Sequence, residues 1–125
     1  MIRSALAALL LAITACASPA AQEPSKIPLR VLYAGVPEDA RTAEFLDFLR
    51  EHFTTVGSTP YTGFKPAQAD DYDVVIFDAE AKLSANTIGL PTPPNLPLDY
   101  DRASVLVSGA GVAAAYSLQL KLDWL

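Results

Sequence analysis

A small α/β domain, a flavodoxin-like three-layer fold with about four parallel strands, follows from three observations. Residues 28–34, 72–78 and 104–108 are short apolar runs rich in β-branched and aromatic residues, the pattern of strands covered on both faces. Residues 38–53 have helical periodicity, and a second helix follows residue 108. The resulting alternation of strand and helix predicts a parallel sheet flanked by helices and joined by right-handed crossovers.

The elements follow in order. Residues 28–34 form the first strand, and Gly35-Val36-Pro37 breaks it. Pro37 suits the first turn of a helix, and Glu38 and Asp39 suit its positive end. Phe45, Leu46, Leu49 and Phe53 make one stripe with Phe48 beside it, while Arg41, Glu44, Asp47, Arg50 and Glu51 fall largely elsewhere. Residues 54–59 read as a short, weak strand. Residues 63–71 read as a connection with one helical turn around 66–69. The run 72–78 is a strong buried strand ending in a carboxylate, and 79–88 is a short helix or a loop. Pro91, Pro93, Pro94 and Pro97 require 90–101 to be extended and bar it from a central strand. The last strand is 104–108. After Gly109-Ala110-Gly111 comes a small-residue helix through Leu120, and the last residues, 120–125, are mostly apolar. Three-layer domains usually have five or more strands. The chain is therefore expected either to be a truncated frame of a longer protein or to have an apolar edge covered by a partner, as in a homodimer.

The first residues read as an export signal rather than as fold. Arg3 precedes an apolar run, 5–15, that is too short to cross a bilayer as a helix, and small residues lead to Cys16. Ile13-Thr14-Ala15-Cys16 resembles the lipobox of bacterial lipoproteins, in which the cysteine is acylated and becomes the new N-terminus. Ala15-Cys16-Ala17 also fits the small-x-small site of ordinary secretion, which would discard Cys16. Lipidation of Cys16 is the preferred expectation, because a cysteine at the end of a signal has few other reasons to be there. Ala17 and Ser18 follow it, without the aspartate of inner-membrane retention. In a host with two membranes the resemblance implies an outer-membrane anchor facing the periplasm. The organisation expected is signal 1–15, a disordered small and polar tether 16–27, and a domain 28–125.

Composition narrows the functions available. The chain has 9 basic and 14 acidic residues, and loss of Arg3 with the signal takes its net charge to about −6. No basic patch invites nucleic acid. With one cysteine there is no disulfide within the chain, and with His52 the only histidine there is no Cys/His metal site. No cofactor and no metal are expected.

In an open parallel sheet, ligands bind beyond the carboxyl ends of the strands. Those ends bring Gly35, Asp78, Glu80, Ser108, Gly109 and Gly111 to one edge. The glycines admit close approach of a ligand to the backbone or simply make tight strand-to-helix turns, and the second reading is preferred. Gly109-Ala110-Gly111 lacks the full dinucleotide fingerprint, and no phosphate-loop lysine follows it. Asp78 and Glu80 are either a carboxylate pair for acid/base work or a hard cation, or a solvated acidic strand end. The solvated end is preferred, since no third ligand is identifiable. Asp70, Asp71, Asp99 and Asp101 read as solvated turn residues. His52 suits the C-terminal dipole of its helix, at the opposite end from any catalytic triad.

Residues 30–35, the following helix, 72–78 and 105–111 together resemble the N-terminal part of class I glutamine amidotransferase-like (ThuA-like) domains. Catalytic members carry a cysteine in the turn after a central strand and a histidine further on. Here the turn is Ser108-Gly109-Ala110 and no histidine follows. The resemblance thus implies the fold and argues against amidotransferase activity. Asp78 after 74–77, Ser108 and Lys121 are also similar to the phosphoacceptor, switch hydroxyl and lysine of response-regulator receiver domains. Ala34-Gly35 replaces the receiver's acidic pair, leaving its magnesium site incomplete, and an exported domain has no cytoplasmic kinase. The expectation is a non-catalytic, lipid-anchored binding domain, with the N-terminal part of an amidotransferase-like hydrolase or transferase as the alternative. The membrane and a protein partner or second copy are its expected contacts.

Overall fold

The computed structural model describes residues 25–121, so the expected signal, Cys16 and most of the tether lie outside the described residues. Four strands form one parallel sheet: β1 (Ile27–Gly35), β2 (Phe53–Pro60), β3 (Val74–Asp78) and β6 (Ser104–Val107), in the spatial order β2-β1-β3-β6. Helix α1 (Ala40–His52) packs on one face and α2 (Ser108–Ser117) on the other, which is the flavodoxin-like arrangement.

Alternation along the central strands sorts the core into two halves. Val31, Tyr33, Val74 and Ile76 face α1, where they meet Phe45, Leu46, Leu49 and Phe53. Leu32, Ala34, Val75 and Phe77 face the other way and pack with Tyr61, Phe64, Leu96 and Ala110. The apolar stripe of α1 is the one its periodicity predicts. Phe48 lies off it, more than half exposed and stacked on His52 at 4.3 Å. The amino-terminal half of β1, beginning at Ile27 inside the expected tether, extends past β3 and stays exposed. Pairing with β3 starts only at Val31.

Helix α1 starts later than Pro37 and Glu38 suggest. Asp39 is its N-cap and accepts a hydrogen bond from the Arg41 N–H at 3.1 Å, and Glu38 turns the chain with φ of 60°. Pro37 therefore precedes the helix instead of opening it. Residues 54–59, expected to be weak, lie in a full eight-residue strand. Its polar threonines and serine are those of an edge strand, which has β1 as its one strand neighbour among the described residues.

Residues 66–69 form the expected single turn, of 3-10 type. The segment 79–88 departs from expectation. It is neither helix nor simple loop but carries a two-stranded ribbon, β4 (Lys82–Ser84) and β5 (Thr87–Gly89). The proline-rich stretch is extended and returns one side chain, Leu96, to the core. Strand β6 passes straight into α2, with Ser108 at φ of 58° as its first helical residue. The small residues of α2 explain its close fit. A Cβ on Gly111 would stand 2.8 Å from the Leu106 carbonyl carbon, and Gly109–Gly111 and Ala113–Ala115 are all buried. No helix among the described residues is long and apolar enough to cross a membrane.

Candidate functional site at the carboxyl edge

The carboxyl ends of the strands present two adjoining features, one on each face of the sheet. On the α1 face, Asp78 is 2% exposed. Its Oδ2 accepts hydrogen bonds from the Tyr33 hydroxyl at 2.7 Å and from Arg41 Nε at 2.8 Å. Its Oδ1 is buried without a partner among the described residues. The expectation of a solvated acidic strand end therefore fails at Asp78. The strand alternation that places Ile76 toward α1 also sends Asp78 there, where a phenol and a guanidinium meet its charge.

Arg41 is held from several sides. Its guanidinium lies 5.1 Å over the Phe45 ring, Phe45 stacks on Tyr33 at 5.6 Å, and Nη1 is 3.5 Å from Glu80 Oε1. Burial first, and the bond to Asp78 next, push the Tyr33 phenol well above the ordinary tyrosine range. Gly35 has a packing reason at this point. A side chain there would strike the Tyr33 ring and approach Thr42 Oγ1 to 2.9 Å, while Thr42 itself donates to the Val36 carbonyl at 2.8 Å.

On the opposite face lies a cavity of about 410 Å³. Val36, Tyr61, Ala79, Leu90 and Pro91 give it apolar surface, and Thr62, Glu80, Lys82 and Thr92 give it polar groups. Tyr61 is almost wholly buried. Its hydroxyl has no partner among the described residues, and burial pushes its ionisation up to about 12.

The cavity wall depends on two connections. Ala110 N–H donates to the Ala79 carbonyl at 2.8 Å, tying the start of α2 to the segment after β3. A Cβ on Gly109 would lie 2.7 Å from Ala81 N and 2.9 Å from Pro91 Cδ, so Gly109 allows that wall to close. Gly109 and Gly111 thus meet protein atoms.

Of the six edge residues the sequence singles out, Glu80 alone belongs to both features. It lines the cavity and pairs with Arg41. Asp78 belongs to the polar cluster, Gly35 and Gly109 pack around the two features, and Gly111 packs on β6. Ser108 occupies the strained turn between β6 and α2. Sequence reading misses Tyr33, Arg41, Tyr61 and Lys82. The signal available for Tyr33 and Arg41 was position: a polar tip near the end of the central strand and a cation in the first turn of the following helix. Tyr61 and Lys82 carry no comparable signal, because a long connection and an unforeseen ribbon bring them together.

His52 ends α1, its Nδ1 3.0 Å from the Phe48 carbonyl oxygen, away from this edge. Among the described residues no three histidine, cysteine or acidic side chains are grouped to hold a metal ion. No protein family, curated protein or solved structure matches the chain.

Proposed function

We propose that this chain is an exported, lipid-anchored binding domain without catalytic activity, which takes a small ligand at the carboxyl edge of its sheet. The cavity walled by Val36, Tyr61, Glu80, Lys82 and Pro91 carries the reading. It lies where open parallel sheets bind ligands and mixes apolar walls with a few polar groups. Asp78, the one deeply buried acid of the edge, is occupied by Tyr33 and Arg41 and is poorly placed for proton transfer. Anchoring rests on the lipobox-like residues 13–16. The experiment is a fragment screen by amide NMR on the processed chain, with an intact mass taken on the same sample. Shifts grouped at residues 36, 61–62, 79–82, 89–90 and 92, with acyl mass on Cys16, are the expected result. An unlipidated mass beginning at Ser18 refutes the anchor, and an absence of shifts in that group refutes the binding site.

One observation favours a second reading, the N-terminal part of an amidotransferase-like hydrolase or transferase. Ser108 has φ of 58° where a strand turns directly into a helix, the backbone geometry that presents a nucleophile in such folds. Covalent labelling of Ser108 by a fluorophosphonate, lost in Ser108→Ala, would establish it. An unlabelled Ser108 would set it aside.

A further inference from the structure

We infer that the cavity takes a zwitterion with a short apolar side chain, a free α-amino acid or its close analogue, with Glu80 receiving the ammonium group and Lys82 the carboxylate. The inference rests on the binding-domain reading and names the ligand class of that site. Glu80 and Lys82 stand two residues apart in the segment after β3 and both line the cavity, so one acid and one base border the same space. They do not neutralise each other. Glu80 has only the 3.5 Å approach of Arg41, and Lys82 makes no ion pair among the described residues.

A simple anion placed here would meet the Glu80 carboxylate, and a simple cation would meet the Lys82 ammonium. A ligand carrying both charges a few ångströms apart satisfies the two together. The remaining surface selects its tail. Val36, Leu90, Pro91 and Ala79 form an apolar wall, with Thr62 and Thr92 beside it. A space of about 410 Å³ accepts a single branched aliphatic side chain with room to spare. Sugars and nucleotides fit this lining less well: it offers few polar groups to many hydroxyls, and Glu80 repels phosphate.

The test compares four probes with one tail: L-leucine, isovalerate, isoamylamine and isoamyl alcohol, each titrated into the processed chain and followed by amide NMR. L-leucine is expected to half-saturate the shifts at 61–62, 79–82, 89–90 and 92 at a concentration at least about tenfold below each of the other three, as for a charge-assisted hydrogen bond in a partly exposed site. Glu80→Gln and Lys82→Met should each remove that advantage, so that on either variant L-leucine gains nothing over isoamyl alcohol measured on the same variant. L-leucine binding no tighter than isoamyl alcohol overturns the zwitterion inference. If the alcohol still shifts the cavity amides, the binding-domain reading survives that result. If none of the four probes shifts them, the inference falls and the reading loses the cavity that carries it.

Discussion

Replacing Arg41 with methionine removes the guanidinium from Asp78 and keeps most of the apolar stem. Asp78 is buried and has two donors on Oδ2, so the substitution leaves the Tyr33 hydroxyl as its only partner among the described residues. A hydrogen bond to a charged group contributes about 1.5–3 kcal/mol. The guanidinium lying over Phe45 adds about 0.5–1 kcal/mol. Removing one member of a buried pair costs about 3–5 kcal/mol in fully enclosed cases. The Arg41 side chain is 34% exposed, so water can take part of its place, and the expected loss lies at the low end, about 2–3 kcal/mol. For a domain of this size that lowers Tm by roughly 8–24 °C. Urea unfolding followed by circular dichroism gives the value directly. The decisive measurement is the cycle with Asp78→Asn, which keeps the shape but removes the charge. The double variant should lose about 1.5 kcal/mol less than the sum of the single ones. A loss below about 1 kcal/mol in Arg41→Met, or additivity within about 0.5 kcal/mol, would show that Asp78 does not depend on Arg41.

Three further outcomes are expected. Gly109→Ala should cost about 1–3 kcal/mol, because its Cβ would meet the Ala81 backbone nitrogen at 2.7 Å and the Pro91 ring at 2.9 Å; thermal unfolding measures the loss, and amide shifts at 81, 90 and 92 locate it. The side-chain and backbone hydrogen bonds from Arg30 hold the Asp73 carboxyl below the usual carboxylate range, so its contribution is full at neutral pH and disappears as acid protonates it. Asp73→Asn should therefore flatten the decline in stability that begins near pH 4, as acid titration of Tm would record. The Tyr61 phenol, pushed up to about 12 by burial, stays neutral in the folded chain after the unfolded chain ionises near 10. Its contribution is present below about pH 10 and is lost as pH rises through about 12. Tyr61→Phe should reduce the alkaline loss of stability, and unchanged alkaline unfolding would refute the assignment.

What the sequence makes legible is what period and punctuation encode. The runs around Val31–Ala34 and Val74–Phe77 appear as strands because both their faces are covered, leaving no polar alternation to confuse the pattern. The stripe Phe45-Leu46-Leu49, continued by Phe53 at the start of β2, identifies the buried side of α1 because one side of the helix is covered and the other is polar. Strand β2 looks weak because an edge strand can place threonine and serine where a central strand needs valine. The β4–β5 ribbon is harder still. Its strands have three residues each, and its turn, Ala85-Asn86, has neither glycine nor a positive φ. Leu83 and Ile88 pair across it while 78% and 68% exposed, so no buried face imposes a pattern on its sequence. The cavity shares that obscurity, since its walls come from the ends of three strands and from this ribbon. Asp78 is misjudged for another reason. Composition shows an acid at a strand end, but only the packing of α1 reveals that Tyr33 and Arg41 are there to receive it.

The same packing predicts that holding the edge together and binding at it are separable. Asp78 and Arg41 meet at 2.8 Å within the protein, whereas Arg41 and Glu80 meet at 3.5 Å at its surface, with the Glu80 side chain 65% exposed. An exposed pair at that distance contributes little to stability. A ligand ammonium that takes Glu80 therefore displaces only the weak contact and leaves Arg41 fixed by Asp78 and Phe45. Glu80 can then serve a ligand without cost to the frame, while Arg41 keeps the segment from Asp78 to Lys82 in place for it. On this argument Glu80→Gln should weaken binding with little change in Tm, and Arg41→Met should lower Tm first and weaken binding only as a consequence.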